Sequence, residues 1–479
     1  MTLRTLIITA AGVLQALSAR SADVVLSGPV DAAALHAVAT SGQTIGTLDL
    51  SGAVITAYDG PRLAANVAHS PANTLPAYVL SGLKATHVLL PEGLKAIADG
   101  ALMGSDIEKI DIPASCDSIG MGAFASCTRL RAVTLPPSAR RLGSHIFSGC
   151  TSLSSASAMG AEVPEAAFAG CTSLADVTLG PGVRTIGKNA FRGCEALGSA
   201  AFPASLTAIG DGAFGNSGLE RADLSRCPSL RTIGTEAFAC CPSLVSAALP
   251  ASASDIGTAL FFDCTSLAEV TLPAGLASIP ALTLKGAQSL RDASRLIPGG
   301  VEQIGTMAFC GMSGTTTLKL PDALAGISDE AFSGMTSLSH IEASGLSAVP
   351  ALGADVFDGI DRPRTTLNVA EEMVSSFLAA PQWREFRVTS GESDAEKIHA
   401  PVTTPAVRVR FEGTTLRASS EALIASATLY DMAGRTIGLC RPSEPLAEVS
   451  IETSAQASPL FILTVTLGDG KAVSVKLIR

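Results

Sequence analysis

Eleven cysteines are the residues of this 479-residue chain whose type most readily does chemistry, as nucleophiles, metal ligands or disulfide partners. Six of them recur in one register, three residues after a phenylalanine, and these are Cys127, Cys150, Cys171, Cys194, Cys241 and Cys264. Such a register predicts a ladder of small, buried, free thiols on successive units, with an occasional bridge between neighbours left open. No Cys-x-x-Cys pair occurs, so the spacing predicts no zinc site.

Other catalytic signals are weak. Residues 182–189 nearly match a phosphate-binding loop, but Asn189 stands where that motif needs a serine or threonine hydroxyl. No Gly-x-Ser-x-Gly elbow is present, and although Asp and Glu occur throughout, nothing singles out a pair of them. The six histidines lie scattered without metal-ligand spacing, at His36, His69, His87, His145, His340 and His399. The residues therefore predict no catalytic site, no metal and no cofactor.

The composition narrows the class of protein. Apolar residues make up 47% of the chain and charged residues only 16%, which is too apolar for a disordered chain. The formal net charge is −10, whereas a nucleic-acid-binding protein normally carries a basic excess. One Trp and three Tyr leave little material for aromatic ligand platforms. Beyond the N-terminus no uninterrupted apolar stretch is long enough to predict a membrane-spanning helix.

One sequence pattern is repeated along most of the chain. Residues 119–136 and 256–273 both read I-G-x-x-x-F-x-x-C-T-x-L-x-x-V-T-L-P. The phenylalanine marks an anchor position that recurs about every 23 residues, within the period of leucine-rich repeats. Thirteen anchors occur, at Leu80, Leu102, Phe124, Phe147, Phe168, Phe191, Phe214, Phe238, Phe261, Leu284, Phe309, Phe332 and Phe357. Ten of the 16 Phe residues occupy this position, which indicates a stacked core.

Each repeat predicts one short strand and a less regular return arm. Leu130, Val133 and Leu135 place apolar residues on one face of a strand, and Pro136 ends it because proline cannot donate to a ladder. A single coil cannot bury its own apolar face, so neighbouring coils must stack. The predicted fold is a β-rich solenoid of about 12–13 leucine-rich-repeat coils with a parallel sheet, followed by a small C-terminal β-sandwich.

Over about 300 residues the repeat pattern resembles the bacterial BspA-like leucine-rich-repeat surface proteins. Residues 48–55 and 73–78 are similar to the family's opening segment, and residues 367–386 to its closing coil. Leu102 and Leu284 replace the anchor Phe, and three threonines at 315–317 replace the usual Leu, so looser coils are expected there. The resemblance implies a non-enzymatic surface protein that adheres to host matrix proteins or to other bacterial cells.

The N-terminus is typical of an export signal. Arg4 precedes an apolar run over residues 6–14, and small residues follow over residues 18–22. A cytosolic N-terminal helix is the alternative interpretation. No Cys precedes Cys116, so a lipid anchor on an N-terminal cysteine is not expected. We therefore expect a signal peptide over residues 1–22 and a protein that is secreted or associated with the outer membrane at the cell surface.

A second module follows a polar linker at residues 389–404. Short alternating strands and an Asp469-Gly470 hairpin signal predict a small β-sandwich over residues 405–479. The segment Leu429-Tyr-Asp-x-x-Gly-Arg435 and the basic end at 476–479 resemble the C-terminal sorting domain of type IX secretion cargo. That resemblance implies the secretion machinery as a partner, and an ordinary β accessory domain is the alternative.

Outward-facing residues of the predicted sheet are the candidate partner-binding residues. The x positions of L-x-x-V-x-L point to solvent, and extended solenoid surfaces of this kind bind proteins. The charged candidates are Glu108, Lys109, Asp111, Arg131, Glu220, Arg221, Asp223, Glu269, Lys319, His340 and Glu342. Each of them, taken singly, also fits a plain solvated face.

Three functions are compatible with these sequence features. The preferred one is an exported, non-enzymatic protein-binding or adhesion protein. The alternatives are a scaffold-borne hydrolase acting on envelope or host polymers, and a purely structural envelope protein. A hydrolase needs a non-repeat insertion able to build a pocket, and the irregular stretch 288–300 is short for that role. The expected organisation is a signal peptide at 1–22, a flanking segment at 23–78, the solenoid at 79–388, the linker at 389–404 and the sorting domain at 405–479.

Overall fold

Stretches covering most of the chain are described by the computed structural model. They are residues 6–8, 23–63, 67–158, 160–391, 407–412, 415–430, 436–452, 460–467 and 472–478. Most of the expected signal peptide and linker, residues 431–435 of the sorting-domain motif, the Asp469-Gly470 hairpin signal and Arg479 lie outside the described residues. The chain divides into two units, Met1–Lys397 and Ile398–Arg479, which are described separately.

Parallel strands with one buried face run along the first unit and form what we call the major sheet. In Ala132–Thr134, Val133 is buried while the residues on either side of it are exposed, as the L-x-x-V-x-L pattern predicts. The strands are Leu6–Ile8, Val24–Leu26, Ile45–Asp49, Ala85–Leu89, Lys109–Asp111, Ala132–Thr134, Ser155–Ala158, Asp176–Leu179, Arg221–Asp223, Ser246–Ala248, Glu269–Thr271, Asp292–Ala293, Thr317–Lys319, His340–Ala343, Thr366–Val369 and Arg387–Thr389.

The return arm carries a second parallel ladder, the minor sheet, which is more regular than the sequence predicts. Its two-residue strands turn one aliphatic side chain inward, so Ile186 and Ile209 lie in register and are buried. The next residue is usually glycine, because a Cβ on Gly187 would lie 2.6 Å from the amide nitrogen of Glu165 in the preceding coil. The strands are Thr74–Leu75, Ala96–Ile97, Ser118–Ile119, Arg141–Leu142, Glu162–Val163, Thr185–Ile186, Ala208–Ile209, Thr232–Ile233, Asp255–Ile256, Ser278–Ile279, Gln303–Ile304, Gly326–Ile327 and Ala351–Leu352.

The predicted solenoid is confirmed, as a parallel-sheet β-solenoid of about 16 turns with little helix. It has more turns than the 12–13 predicted because the opening and closing segments, which lack the anchor pattern, also contribute strands to the major sheet. All thirteen anchors are at most 1% exposed, Leu102 and Leu284 included. From Phe124 to Phe261, neighbouring anchor rings stack with centroids 5.1–5.8 Å apart.

Two interruptions of the minor sheet are caused by proline residues, which have no amide hydrogen to donate. In most coils the glycine amide after the buried aliphatic residue donates to the preceding coil, as Gly210 does to the Ile186 carbonyl at 2.8 Å. Pro164 and Pro280 occupy this position and have no N–H to donate. The minor sheet is interrupted at both places, between Arg141–Leu142 and Glu162–Val163 and between Asp255–Ile256 and Ser278–Ile279.

Helices lie near the two ends of the solenoid. The α-helix Ala32–Thr40 is capped by Asp31, whose carboxylate accepts a hydrogen bond from the Ala34 amide at 2.9 Å. The remaining elements are the α-helix Val374–Ala379, the 3-10 helices Arg362–Arg364, Glu371–Met373 and Trp383–Glu385, the parallel pair Gly28–Val30 and Ala53–Ile55, and the antiparallel pair Tyr58–Asp59 and His69–Ser70. Within the described stretches, no helix combines the length and apolarity needed to cross a bilayer.

The second unit is a six-stranded antiparallel sheet. Its strands are Val407–Glu412, Thr415–Tyr430, Thr436–Cys440, Leu446–Glu452, Leu460–Leu467 and Ala472–Ile478. The first half of the long strand Thr415–Tyr430 pairs with Val407–Glu412, and its second half pairs with Leu460–Leu467. Register shifts near its middle accompany the curling of the sheet around its own apolar core. The predicted small β domain is confirmed, with one curled sheet in place of a sandwich's two packed sheets.

Candidate functional site

The outward face of the major sheet carries all eleven predicted binding residues. Eight of them are exposed, and Glu108, His340 and Glu342 are half-buried. The structure brings them together in three groups rather than in one site. The groups are Glu108, Lys109, Asp111 and Arg131; then Glu220, Arg221, Asp223 and Glu269; then Lys319, His340 and Glu342. Each group is fixed by strand register, because the strands set both the spacing and the direction of the side chains.

The first group lines an open depression of about 630 Å³. The Lys109 Nζ lies 3.0 Å from the Asp111 Oδ2, so these two charges are paired. Glu108 accepts a hydrogen bond from the guanidinium of Arg129. Arg131 makes no salt bridge with any described residue, which leaves its guanidinium available to a partner.

One further residue that lines this depression is not among the candidates predicted from the sequence. His87 lies in register with Lys109 on the neighbouring strand and lines the same depression. Its coil has leucine as anchor, and the alternation rule that selected Lys109 also points to His87 once the two coils are aligned. The first group is therefore a mixed-charge patch with a histidine at its edge.

The second group spans two strand steps. Arg221 is in register with Ser246 and, one strand further, with Glu269. Asp223 accepts hydrogen bonds from the side chain and the amide of Ser225, at 2.6 and 3.0 Å, and these hold the pKa of its carboxyl below the ordinary value. Asp223 is thus an ionised, exposed charge at neutral pH.

Glu269 also borders an open depression of about 670 Å³. Ser289, Arg291 and Arg295, from the irregular stretch 288–300, line the other side. This stretch was the sequence candidate for an enzyme pocket. It shapes a shallow surface feature beside the sheet.

In the third group a carboxylate is held in place by its neighbours. Asn368 Nδ2 donates to the Glu342 Oε2 at 2.8 Å, and the Ser344 amide donates to the Glu342 Oε1 at 2.9 Å. Partial burial of Glu342 opposes ionisation, but these hydrogen bonds outweigh it and lower the pKa of the carboxyl. His340 Nε2 lies 3.7 Å from the same carboxylate, and Lys319 is in register with Glu342.

The thiol ladder lies in the interior of the solenoid. All eleven cysteines fall in the described stretches and are free, and the six of the ladder are also buried, as predicted. The Sγ of Cys171 donates to the carbonyl of the anchor Phe147 in the preceding coil at 3.1 Å, and Cys194 does the same to Phe168 at 3.2 Å. Burial raises the pKa of the Cys171 thiol to about 12. Across the described residues, no three His, Cys, Asp or Glu side chains gather closely enough to hold a metal ion.

The repeat that builds this face is shared with other proteins. Residues 62–160, 161–291 and 293–362 match the sequence profile described as BspA type leucine rich repeat region (6 copies). The chain belongs to the BspA-type leucine-rich-repeat family. The matched residues cover more than half of the chain and include all eleven candidate residues of the BspA-type repeats. BspA-like proteins of this kind are typically associated with the cell surface.

Solved structures of other proteins are similar to this chain, and the first one named here shares its solenoid fold. A leucine-rich repeat protein from Bacteroides ovatus is 22% identical with a TM-score of 0.57, covering 73% of this chain and 84% of its own. A leucine rich cell surface protein from Faecalibacterium prausnitzii is 23% identical with a TM-score of 0.32, covering 60% of this chain and 86% of its own. The pneumococcal vaccine antigen PcpA is 16% identical with a TM-score of 0.38, covering 76% and 92%. No curated protein matches the chain.

Proposed function

We propose that this chain is an exported, non-enzymatic protein of the cell surface that binds host matrix proteins or proteins of other bacteria through the outward face of its major sheet. The observation that carries the proposal is the first group, where Lys109, Asp111 and Arg131 line one depression. The ion pair between Lys109 and Asp111 already holds two of these charges in place, so less conformational entropy is lost when a partner binds.

The shape of the face favours a protein partner over a small substrate. Stable protein interfaces bury about 800 Å² on each side, which the outward face of several neighbouring strands supplies more readily than one shallow depression does. The three groups lie along one solenoid face, as an extended partner requires. The buried thiols, which donate to main-chain carbonyls, are unsuited to nucleophilic catalysis.

Export and sorting are part of the same proposal. The cationic and apolar N-terminal pattern supports passage across the inner membrane. The resemblance of the C-terminal module to type IX sorting domains supports passage across the outer membrane. A binding protein with both signals reaches partners outside the cell.

A capture experiment with matched variants tests the proposal. Chain 23–479 is immobilised and offered purified matrix proteins and intact bacterial cells. The variant Lys109→Ala/Asp111→Ala/Arg131→Ala removes the first group, and Arg364→Ala/Glu372→Ala/Arg384→Ala makes the same net charge change on exposed residues elsewhere. We expect the first variant to lose about tenfold or more in affinity for the captured partner and the second to bind normally. Capture of no partner, or equal binding by both variants, overturns the proposal.

A further inference from the structure

Three arginines form a row beside the minor sheet, each at the residue before a strand. Arg140, Arg184 and Arg231 define this arginine row. The Thr207 amide donates to the Arg184 carbonyl at 2.8 Å, and the Arg231 amide donates to the Thr207 carbonyl at 2.9 Å, so Thr207 occupies the coil between them. The stacked anchors Phe147, Phe168 and Phe191 likewise put one coil between Arg140 and Arg184. Two coils correspond to about 10 Å along the solenoid.

The charges of the arginine row are not neutralised by the rest of the described structure. Each of its members is exposed, and none makes a salt bridge with a described residue. Arg141, the next residue after the first member, differs in this respect because it pairs with Asp117 at 2.7 Å. Glu162 and Asp255, on strands next to the row, do not come within salt-bridge distance of it.

Small residues separate the members of the arginine row. Ala161 and Thr207 occupy the intervening coils, and Ser254 follows the last member. Arg231 Nη1 donates to the Ser252 carbonyl at 3.0 Å, which orients one guanidinium and leaves its other N–H groups free. The row is therefore a line of exposed guanidinium groups with small residues between them, and the carboxylate that precedes it in the same line, that of Asp117, is paired with Arg141.

We propose that the arginine row binds a linear anionic polysaccharide that carries sulfate or carboxylate groups. Guanidinium groups bind such oxyanions with two parallel hydrogen bonds. Their spacing of about 10 Å suits a polymer whose charges are sparse, whereas duplex DNA presents a charge about every 1.7 Å and calls for a dense basic surface. The net charge of −10 further disfavours a densely charged polyanion. This surface and ligand are separate from the protein-binding face proposed above.

The test is the affinity of the full mature chain for a labelled hyaluronan oligosaccharide, a linear polymer with one carboxylate per disaccharide, measured by fluorescence anisotropy at low and at physiological salt. The variant Arg140→Gln/Arg184→Gln/Arg231→Gln removes the row. The control Arg62→Gln/Arg364→Gln/Arg384→Gln removes the same number of positive charges from exposed positions elsewhere. Circular dichroism verifies that both variants fold.

We expect the row variant to bind hyaluronan about tenfold or more weakly, with a shallower dependence on salt, and the control to bind like the wild type. Three results would overturn the proposal: no binding of hyaluronan by the wild type, equal weakening in both variants, or equally tight binding of single-stranded DNA of matched length. Because the sheet-face residues are unchanged in both variants, capture of a protein partner is expected to be unaffected.

Discussion

Phe191 shows how one residue type at one position builds the interior. Its ring lies 5.4 Å from that of Phe168 and 5.1 Å from that of Phe214, nearly parallel to both. Each coil therefore completes the burial of its neighbour's anchor, and the core is a column rather than a centre. Anchor burial could be predicted from spacing alone, because only stacking buries a phenylalanine that recurs once per coil.

Phe191→Ala tests this column. We expect the free energy of unfolding to fall by about 3–5 kcal/mol, because a fully buried ring leaves a cavity between two rings that cannot close on it. Thr178→Ala, at an exposed position of the preceding coil, is the control and should change stability by less than about 0.5 kcal/mol. Urea unfolding measures both, and a loss at Phe191 no larger than at Thr178 would remove the anchor from the core.

The burial of the ladder thiols could be predicted from the sequence, but their hydrogen bonds could not. Register alone predicts that Cys171 and Cys194 are buried and free, and they are. That each Sγ donates to the carbonyl of an anchor in the preceding coil depends on how far successive coils are rotated and displaced, which spacing does not encode. Ser105 and Ser217 fill the same position in two other coils, but Met312 fills it in a later one, so burial rather than a donor is what these residues share.

Buried thiols make stability depend on alkaline pH. Burial raises the pKa of Cys171 to about 12 and also raises that of Cys194, whereas thiols of an unfolded chain titrate near pH 8.5. Above about pH 8.5 the folded state thus binds more protons than the unfolded state, so the free energy of unfolding falls as pH rises towards the folded pKa. We expect Cys171→Ser/Cys194→Ser to show a shallower fall between neutral pH and about pH 10 in urea unfolding. Parallel curves for the variant and the wild type would contradict the raised pKa values.

At the scale of elements, the two sheets differ in how far the sequence predicts them. Strands such as Ala132–Thr134 show inward and outward alternation over enough residues to be recognised. A strand such as Thr185–Ile186 offers one inward residue, and its ladder rests on a glycine amide that only the stacked structure aligns with a carbonyl. A strand of two residues is too short to show an alternation of buried and exposed residues, so the minor sheet could not be predicted from the sequence pattern.

The boundary between coils at Pro280 lacks strand pairing in both sheets. The minor sheet is broken there, the major sheet is broken between Glu269–Thr271 and Asp292–Ala293, and Leu284 replaces phenylalanine in the anchor column. Ser294, which follows the short strand, donates its amide to the Asp292 carboxylate at 2.8 Å. At this boundary the coils are held together chiefly by the anchor arm, which is the segment of each coil that carries the anchor residue. There the Phe261 amide donates to the Thr283 carbonyl at 2.9 Å.

Pro280→Gly should repair the minor sheet at this boundary. The glycine amide regains the position from which Gly257 and Gly305 donate to the coils before them. One recovered hydrogen bond contributes about 0.5–1.5 kcal/mol, which the greater freedom of glycine in the unfolded chain offsets in part. Hydrogen exchange should therefore slow in peptides that span residues 255–286 with little change in global stability. Unchanged exchange there would show that proline is not the cause of the break.

For the whole molecule, the alignment of repeats explains both the fold and the candidate face. The sequence places the eleven candidates on one outward surface, and the structure divides them into three groups because strands that hold none of them, such as Ser155–Ala158 and Asp292–Ala293, lie between. His87 and Arg129, which complete the first group, become evident only when coils are stacked. Export and sorting rest on the termini, much of which lies outside the described residues.

Display at the cell surface is tested by truncation. Protease shaving of intact cells should remove the full-length chain, while a chain cut after Gly391 should be absent from the surface and retained inside the envelope. The physical reason is that the truncated chain lacks the C-terminal module to which we assign sorting. A truncated chain that is shaved as readily as the intact one would assign surface display to another part of the protein.

The binding face itself is tested most directly by the hydrogen-exchange footprint of a captured protein partner on the full mature chain. We expect slower exchange in the strands of the major sheet, centred on Lys109–Asp111 and Ala132–Thr134, with the anchor arms and the curled C-terminal sheet unchanged. A footprint confined to the anchor arms or to the C-terminal sheet would contradict a binding role for the major sheet.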